Sequence, residues 1–584
     1  MNLKDTLNKV VHLRNQGELE ERQRLLKKLL KKFIGNPYVN LEMGLLFITQ
    51  KDFKSALSYF IKSNNIQEND EIKKQIINCY YQLKKYDDAL LINQKLLNKN
   101  PDDIQIKLFQ AKILRDKGDH DGSIEIYQQI LEMYPKQVEL LVEFGFALNK
   151  ANLYEEAIDK YKDALKLNPS FLPAIYNLGI AFSNNKNYQD AILQFSNAIK
   201  IQSDIEDFWF ARALAFIRVY QFEDALHDLD QILKFNPNHY HSIFQKGVIY
   251  ASLNQSDKAM KYYLQAQAIT DQKDNEISFR IALLLFKDRK FEEGVKYWTS
   301  RSKLIDRYEF FDDEKFESIS NKKPLLIHRD QGLGDELLFL RLIGKLCEDG
   351  FDITYVCHEK LYDLLRLNFK NIKVVSEENS SEYLNNEKYQ KITIGTILGL
   401  VHNPLSYIKN CKKIVAREYK FKKNNQKMRI GLSWKSKNEA IGDYKSYKLD
   451  MLSPILDDSK YEFINLQYGD VNDEINEVKN KFKIKIYEEE ALDVTNNIAD
   501  LCSLIESCDI VITCSNITAH VAGWLNKPTL LLLPKDYGKL WYWYHQNKTF
   551  SEWYPSINII NQDKSGEWFS MVEKIKSHLS KFKS

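Results

Sequence analysis

The 584-residue chain lacks any apolar run long enough to cross a bilayer; its longest greasy stretch is Thr529 to Pro534, and Met1-Asn2-Leu3-Lys4-Asp5 has no apolar signal core. Those absences predict a soluble, cytoplasmic protein without a membrane span. A concentrated basic excess is also missing. The net charge is +3 with 28% charged residues, so nucleic acid is not an expected partner. Seven cysteines lie scattered at 79, 347, 357, 411, 502, 508 and 514, with no C-x-x-C and no histidine at zinc-finger spacing. An odd, unpatterned set predicts reduced thiols that behave as small buried hydrophobes, not metal ligands. There is no Walker lysine, no G-x-S-x-G elbow and no H-E-x-x-H.

What the first half does have is a period. Ala89, Ser123, Ala157, Ala191, Ala225 and Ala259 follow one another at 34-residue intervals, as do Pro101, Pro135, Pro169, Ser203 and Pro237. Tyr86, Tyr154, Tyr188 and Phe222 stand three residues before the small position. Each unit therefore reads as two antiparallel helices: the small residue permits a close crossing, the aromatic fills the gap and proline stops the unit. The segment resembles the tetratricopeptide repeat, as in Tyr176-Asn177-Leu178-Gly179, then Tyr188-Gln189-Asp190-Ala191, Phe195 and Ala198. About nine units are expected between Leu3 and Lys303, with atypical ends at Arg22 and Gly294 serving as caps. The resemblance implies an α-solenoid with a groove for a peptide or partner protein. The basic stretch from Arg22 to Lys32 reads either as a membrane-surface helix or, as favoured here, as the second helix of the first repeat with Leu25, Leu29 and Leu30 inward.

A length of 584 residues suggests two to four domains, and the second half changes its pattern. Strands are expected at Pro324–His328, Asp352–Cys357 and Ile372–Val375 with helices at Asp335–Asp349 and Glu359–Asn368. After a lysine-rich connector, Lys409 to Lys427, a second series begins at Met428 and runs through strands at 461–466, 509–513 and 529–533 to a final helix, 566–582. Alternation of this kind predicts parallel sheets with helices on their faces. The expected division is 1–305 solenoid, 306–323 linker, 324–415 first Rossmann-like lobe and 428–584 second lobe.

Two small-residue turns each follow a β-branched run and open a helix: Gly332-Leu333-Gly334-Asp335 and Ser515-Asn516-Ile517-Thr518-Ala519-His520. A strand, a turn and a helix start together favour phosphate oxygens, because unpaired amides and the positive dipole end point the same way. A dinucleotide fingerprint is disfavoured, since Leu337 replaces the third glycine and Cys357-His358 stands where a ribose-binding carboxylate is needed.

The span Ile327-His328-Arg329-Asp330-Gln331-Gly332-Leu333-Gly334-Asp335-Glu336 resembles the opening of the family 9 glycosyltransferase-like module that is fused behind tetratricopeptide repeats in bacteria. Cys508–Thr513, Ala519–Pro528, Trp541-Tyr542-Trp543 and Trp553-Tyr554-Pro555-Ser556 resemble its later signatures over roughly 306–584, and the order of parts is loosely similar to protein O-linked N-acetylglucosamine transferases. The resemblance implies a GT-B fold, heptosyltransferase-like chemistry, a nucleotide-sugar donor and no cofactor. It makes Asp335 the catalytic base, although a helix-start carboxylate that only stabilises the dipole is the alternative. His520, beside the N–H groups of Ile517, Thr518 and Ala519, is expected to hold the diphosphate, with Asn516 or Ser515 capping the helix. Gly332, Gly334 and Lys435 complete the donor-binding set, and Lys445 is a second candidate cation. Among Trp541, Tyr542, Trp543 and Tyr544 at least half are expected to pack, the rest being free to stack a base or sugar. No Asp-x-Asp pair sits at the expected cleft, so transfer without metal is expected. Ser515-Asn516-Ile517 stands where heptosyltransferases commonly carry Asp-Thr-Gly, which puts an ADP-heptose donor in doubt. The alternative function is a non-catalytic repeat scaffold with a degenerate transferase module.

Overall fold

A backbone period underlies the helix pairs. Left-handed residues recur at Lys51, Lys84, Gly118, Asn152, Lys186, Asn254 and Arg289, each in the tight turn between the two helices of one pair, and Tyr220 shares this backbone conformation. Glycine or asparagine suits such a position, whereas Lys and Arg there cost about 1 kcal/mol each, which the flanking helix contacts offset. The computed structural model describes all residues except 1, 271–273, 300–310, 312, 331, 402, 422–426, 439–440, 457–459, 545–548 and 583–584. The expected repeat end at Lys303, the start of the 306–323 linker, Gln331 and residues 422–426 of the connector lie outside the described residues.

The chain divides into two compact units, Met1–Val219 and Tyr220–Ser584. The first is all helical, from Leu3–Gln16 to Glu206–Arg218. Asparagine and aspartate caps start several of these helices: Asn36, Asp52, Asn69, Asp103 and Asp119 each accept from amides of the following turn. The 34-residue series of small residues is fully buried within this unit at Ala89, Ser123, Ala157 and Ala191. Arg22, at the small position of the first pair, is also buried, and its guanidinium donates to Glu42 Oε2 at 3.2 Å. Its helix, Leu19–Lys32, turns Leu26 and Leu29 inward, so this basic segment is a packed repeat helix.

Crossing distance is set by a glycine and a ring sixteen residues later. A Cβ on Gly179 would stand 2.5 Å from the Phe195 ring, and one on Gly145 would stand 2.7 Å from Tyr161. The gap is thus filled by rings in the middle of the second helix. The aromatics of the predicted gap-filling series stand instead at helix starts, as Tyr154 and Tyr188 do.

The second unit opens with helices Phe222–Phe235, Tyr240–Ser252, Ser256–Ile269, Asn275–Lys287 and Phe291–Trp298. Two parallel sheets follow. The first contains β1 (Leu325–His328), β2 (Ile353–Cys357), β3 (Lys373–Ser376) and β4 (Gln390–Thr393) in the order β3-β2-β1-β4. The second contains β5 (Met428–Ser433), β6 (Tyr461–Asn465), β7 (Ile486–Tyr487), β8 (Ile510–Cys514), β9 (Thr529–Leu533) and β10 (Ile557–Asn561) in the order β10-β9-β8-β5-β6-β7. All pairs are parallel. Counted within the second sheet, this is the doubly wound order 3-2-1-4-5-6. The expected long helix from Asp335 is divided into Leu333–Leu340 and Ile343–Glu348, and the expected final helix is shortened to Val572–Leu579.

One apolar cluster joins Phe286, Val295 and Trp298 of the last helix pair to Phe339 beside the first sheet and to Leu531, Trp541 and Trp553 of the second. The Trp298 and Phe339 rings are 5.9 Å apart, and Phe286 meets Trp541 at 5.1 Å. The predicted linker takes part: Asp313–Ser318 is a short 3-10 helix, and buried Asp313 accepts from Thr393 N, Thr393 Oγ1 and Thr396 Oγ1 at 2.8–2.9 Å. All seven cysteines are free thiols, and Cys79, Cys357, Cys502, Cys508 and Cys514 are buried.

Two outcomes follow from this packing. Gly179→Ala gains about 1 kcal/mol of helix propensity but drives a methyl into Phe195, for a net loss of about 1–3 kcal/mol in denaturant unfolding; Gly35→Ala, with nothing within 4 Å, is the near-neutral control. Burial raises the Asp313 carboxyl to about 6 from an ordinary 3.8. The folded state therefore holds this proton more tightly than the unfolded chain, so the contribution is full below about pH 4 and is lost as pH rises through 6. Thermal melts across that window are expected to show a downward slope that is flatter in Asp313→Asn.

Candidate functional site

Both turns singled out in the sequence sit at topological switch points. The first follows β1, which lies between β2 and β4; the second follows β8, which lies beside β5 where the chain order reverses. Crevices outside the carboxyl ends of strands at such points are where doubly wound sheets take ligands. The two turns also meet: a Cβ on Gly334 would stand 3.0 Å from His520 Cδ2 and Nε2. Only a glycine leaves room for that approach.

The first turn is braced from below. Gly332 occupies the N-cap position of Leu333–Leu340, and Asp335 lies in the first turn of that helix. Its neighbour Glu336 is fully buried, accepting from Tyr355 Oη at 2.7 Å and from His358 N at 3.3 Å, with Arg329 Nε at 3.4 Å. Burial raises the Glu336 carboxyl to about 7. Arg329 is held by a second carboxylate, Glu377, at 2.8 Å. Glu336 thus anchors the turn, while Asp335, one residue earlier, is only partly buried. Its charge bears on the Tyr542 hydroxyl and on Lys445.

The second turn is largely self-satisfied. Asn516 caps Ile517–Trp524, accepting from Thr518 N at 3.0 Å and from Thr513 Oγ1 at 3.0 Å, and it donates to Ser433 Oγ at 2.7 Å and Lys435 O at 3.0 Å. Gln467 completes the clamp by accepting from Ser433 Oγ, Trp434 N and Lys435 N. Ser515 Oγ accepts from Trp543 Nε1 at 2.9 Å. Of the three amides expected at this helix start, Thr518 N is taken by its cap and Ala519 N by Asn516 O, which leaves Ile517 N without a bond in the chain among the described residues.

The cations divide in the same way. Lys435 is exposed and ion-paired with Glu474. Lys445 is only 4% exposed, forms no hydrogen bond or ion pair among the described residues and feels Asp335, Cys514 and His520. Burial lowers its pKa. A nearly buried ammonium without a bonded partner is an anion-seeking group.

His520 is 2% exposed, boxed by the rings of Tyr542, Trp543 and Tyr554 at centroid distances of 5.3–5.6 Å. Its Nδ1 lies 3.0 Å from Tyr554 Oη. Burial, with Lys445 and Arg341 adding to it, drives its pKa down to about 3. It is a neutral imidazole at physiological pH. Of the aromatic run, Trp541, Tyr542 and Trp543 are buried in packing; Tyr544 has Lys287 and Lys539 over its ring at 4.5 and 4.9 Å. Sequence motifs carried Asp335, Lys445, Asn516 and His520 to one place. They left Gln467 and Ser433 unseen, since neither belongs to a motif, and they assigned no role to Tyr554 or Arg341.

Asn516→Ala removes four bonds from one buried cap and is expected to lower stability by about 2 kcal/mol, measured as a fall in the melting temperature of the full chain. A change within error would show that the turn does not depend on this cap.

Comparison with known proteins bears on the repeats. Tetratricopeptide repeat models match residues 47–113, 104–137, 147–205 and 240–272. The N-terminal ~270 residues therefore carry tetratricopeptide repeats. Protein FlbA of Caulobacter vibrioides is 25% identical over 284 residues, 44% of this chain and 47% of that protein. The chain thus spans about half the length of the curated relative it matches. Among solved structures, MamA is 25% identical, covering 28% of this chain and 95% of its own with a TM-score of 0.27. A tetratricopeptide repeat protein from Parabacteroides merdae is 15% identical, covering 44% of this chain and 98% of its own with a TM-score of 0.35.

Proposed function

We propose that the C-terminal α/β region is a GT-B-type glycosyltransferase module, moving a sugar from a nucleotide-sugar donor to an acceptor recruited by the tetratricopeptide repeats. The observation that carries this is the meeting of the two switch-point turns, with Gly334 against His520 and the unbonded Lys445 ammonium beside them. Two doubly wound sheets facing each other at their switch points suit a donor held by one sheet and an acceptor approaching from the other. Glycosyl transfer needs a base at the acceptor hydroxyl and positive partners for the departing diphosphate. Asp335 takes the first role, because it stands partly exposed at a helix start while its neighbour Glu336 does the anchoring. Lys445 and the Ile517 amide take the second, with Gly332 and Gly334 giving the diphosphate close access to the backbone. Lys435 lies at the edge of the donor site and contributes through its backbone to the Asn516 clamp. Ser515, Thr518 and Ala519 shape the turn.

A second reading is a repeat scaffold whose α/β region no longer turns over. It is favoured by the internal bonding of Ser515 and Asn516 and by the slight exposure of His520.

A melting-temperature screen against UDP-, GDP-, ADP- and CMP-sugars separates the two. The enzyme predicts a rise with one nucleotide class, lost in Lys445→Ala; Asp335→Asn keeps the rise but loses at least about 100-fold in transfer or donor hydrolysis. No shift with any donor, in a chain whose repeats are folded by circular dichroism, leaves the scaffold.

A further inference from the structure

The ring of His520 has two ends in different surroundings. Nδ1 faces a phenol; the Nε2 edge faces the glycine turn of the opposite sheet. We propose that Tyr554 is a positioning residue that holds His520 as the tautomer protonated on Nε2, so that His520 donates a hydrogen bond to an oxyanion seated at the Gly332–Asp335 turn. The nature of that oxyanion, a diphosphate oxygen, rests on the nucleotide-sugar reading; the tautomer does not.

Tyr554 is fully buried; its hydroxyl lies 3.0 Å from His520 Nδ1 and beside the Arg341 guanidinium, which can donate to the phenol oxygen but offers no acceptor for its O–H. If Nδ1 carried the proton, it would donate to Tyr554 Oη and the phenolic O–H would be left without an acceptor. A buried donor in that condition costs about 1–3 kcal/mol. With the O–H donating to Nδ1, both groups are satisfied. Arg341 strengthens this polarity: its guanidinium carbon lies 4.6 Å from the Tyr554 ring centroid, and a cation there makes a phenol a better donor and a poorer acceptor. A second proton on the imidazole is opposed first by burial among the Tyr542, Trp543 and Tyr554 rings, then by Lys445 and by the same Arg341. The remaining proton therefore sits on Nε2, which has no acceptor among the described residues and lies 3.0 Å from the position a Gly334 side chain would take. Trp543 offers no competing donor, because its Nε1–H is engaged by Ser515 Oγ. The result is a fixed neutral donor beside a cation, suited to stabilising charge on a leaving oxyanion and unsuited to removing a proton from an acceptor.

The test is nitrogen NMR on the full chain labelled with 15N-histidine, with His520 assigned by the signals lost in His520→Gln. Without ligand, the expected spectrum has an unprotonated Nδ1 and a protonated Nε2, unchanged between about pH 5 and 8. Tyr554→Phe is expected to release the lock, giving averaged or reversed tautomer shifts. Inorganic pyrophosphate is expected to move the Nε2–H signal of the wild-type chain. A proton on Nδ1, or a titration near neutral pH, overturns the tautomer. An Nε2–H signal unmoved by saturating pyrophosphate overturns the oxyanion contact. The wild-type spectrum without ligand decides the tautomer even if Tyr554→Phe does not fold or no sugar nucleotide binds, so its failure is distinct from failure of the transferase reading.

Discussion

The C-terminal unit depends on one aromatic contact set: Trp298 and Phe286 of the last helix pair pressed between Phe339 at the first sheet and Trp541 at the second. Buried aromatics of this size supply a large share of the apolar area in a core. Because the same cluster reaches both sheets, the relative placement of β1 and β8 is set by packing and not by the connector that joins them. Arg289 adds a directional tie, donating to Glu552 Oε2 and to the Tyr544 carbonyl. Two turns that meet from different sheets need such a frame to keep their contact.

Charge at the site is arranged by burial. Glu336 and Asp335 are adjacent in sequence, yet the first is sealed with Tyr355 and Arg329 and the second is partly open near Lys445. His520 and Lys445 are both disfavoured in their charged forms by desolvation. The imidazole is neutral at physiological pH, and the Lys445 ammonium is lowered from its ordinary 10.5 by the same loss of water. Lys445 has no bonded counter-ion among the described residues, which favours drawing in an anion.

Much of this was legible in advance. The 34-residue period located the helix pairs because close helix crossing demands small residues at a fixed interval, and every such position is buried. Strand and helix alternation located the sheets, although β4, β7 and β10 were missed: β4 opens with polar Gln390 and Lys391, β7 is two residues long, and β10 starts directly after the Trp553–Ser556 motif. The long helix from Asp335 was overextended, since no proline or glycine marks the break between Leu340 and Ile343. The two turns were picked out in advance and they meet, but the sequence cannot tell that Glu474, on a helix about forty residues away, pairs with Lys435.

By itself, then, the sequence determined the repeat period, the parallel α/β character and the two small-residue turns, because each is a local pattern of size, branching and polarity. Tertiary structure alone decided that the turns meet, that the tight turns of the helix pairs take a left-handed backbone at Lys84 and Lys186 with no glycine to announce it, and that His520 is neutral. Those outcomes depend on which distant groups share a space, and on how much water they lose there, quantities set by packing across hundreds of residues and absent from any short stretch of chain.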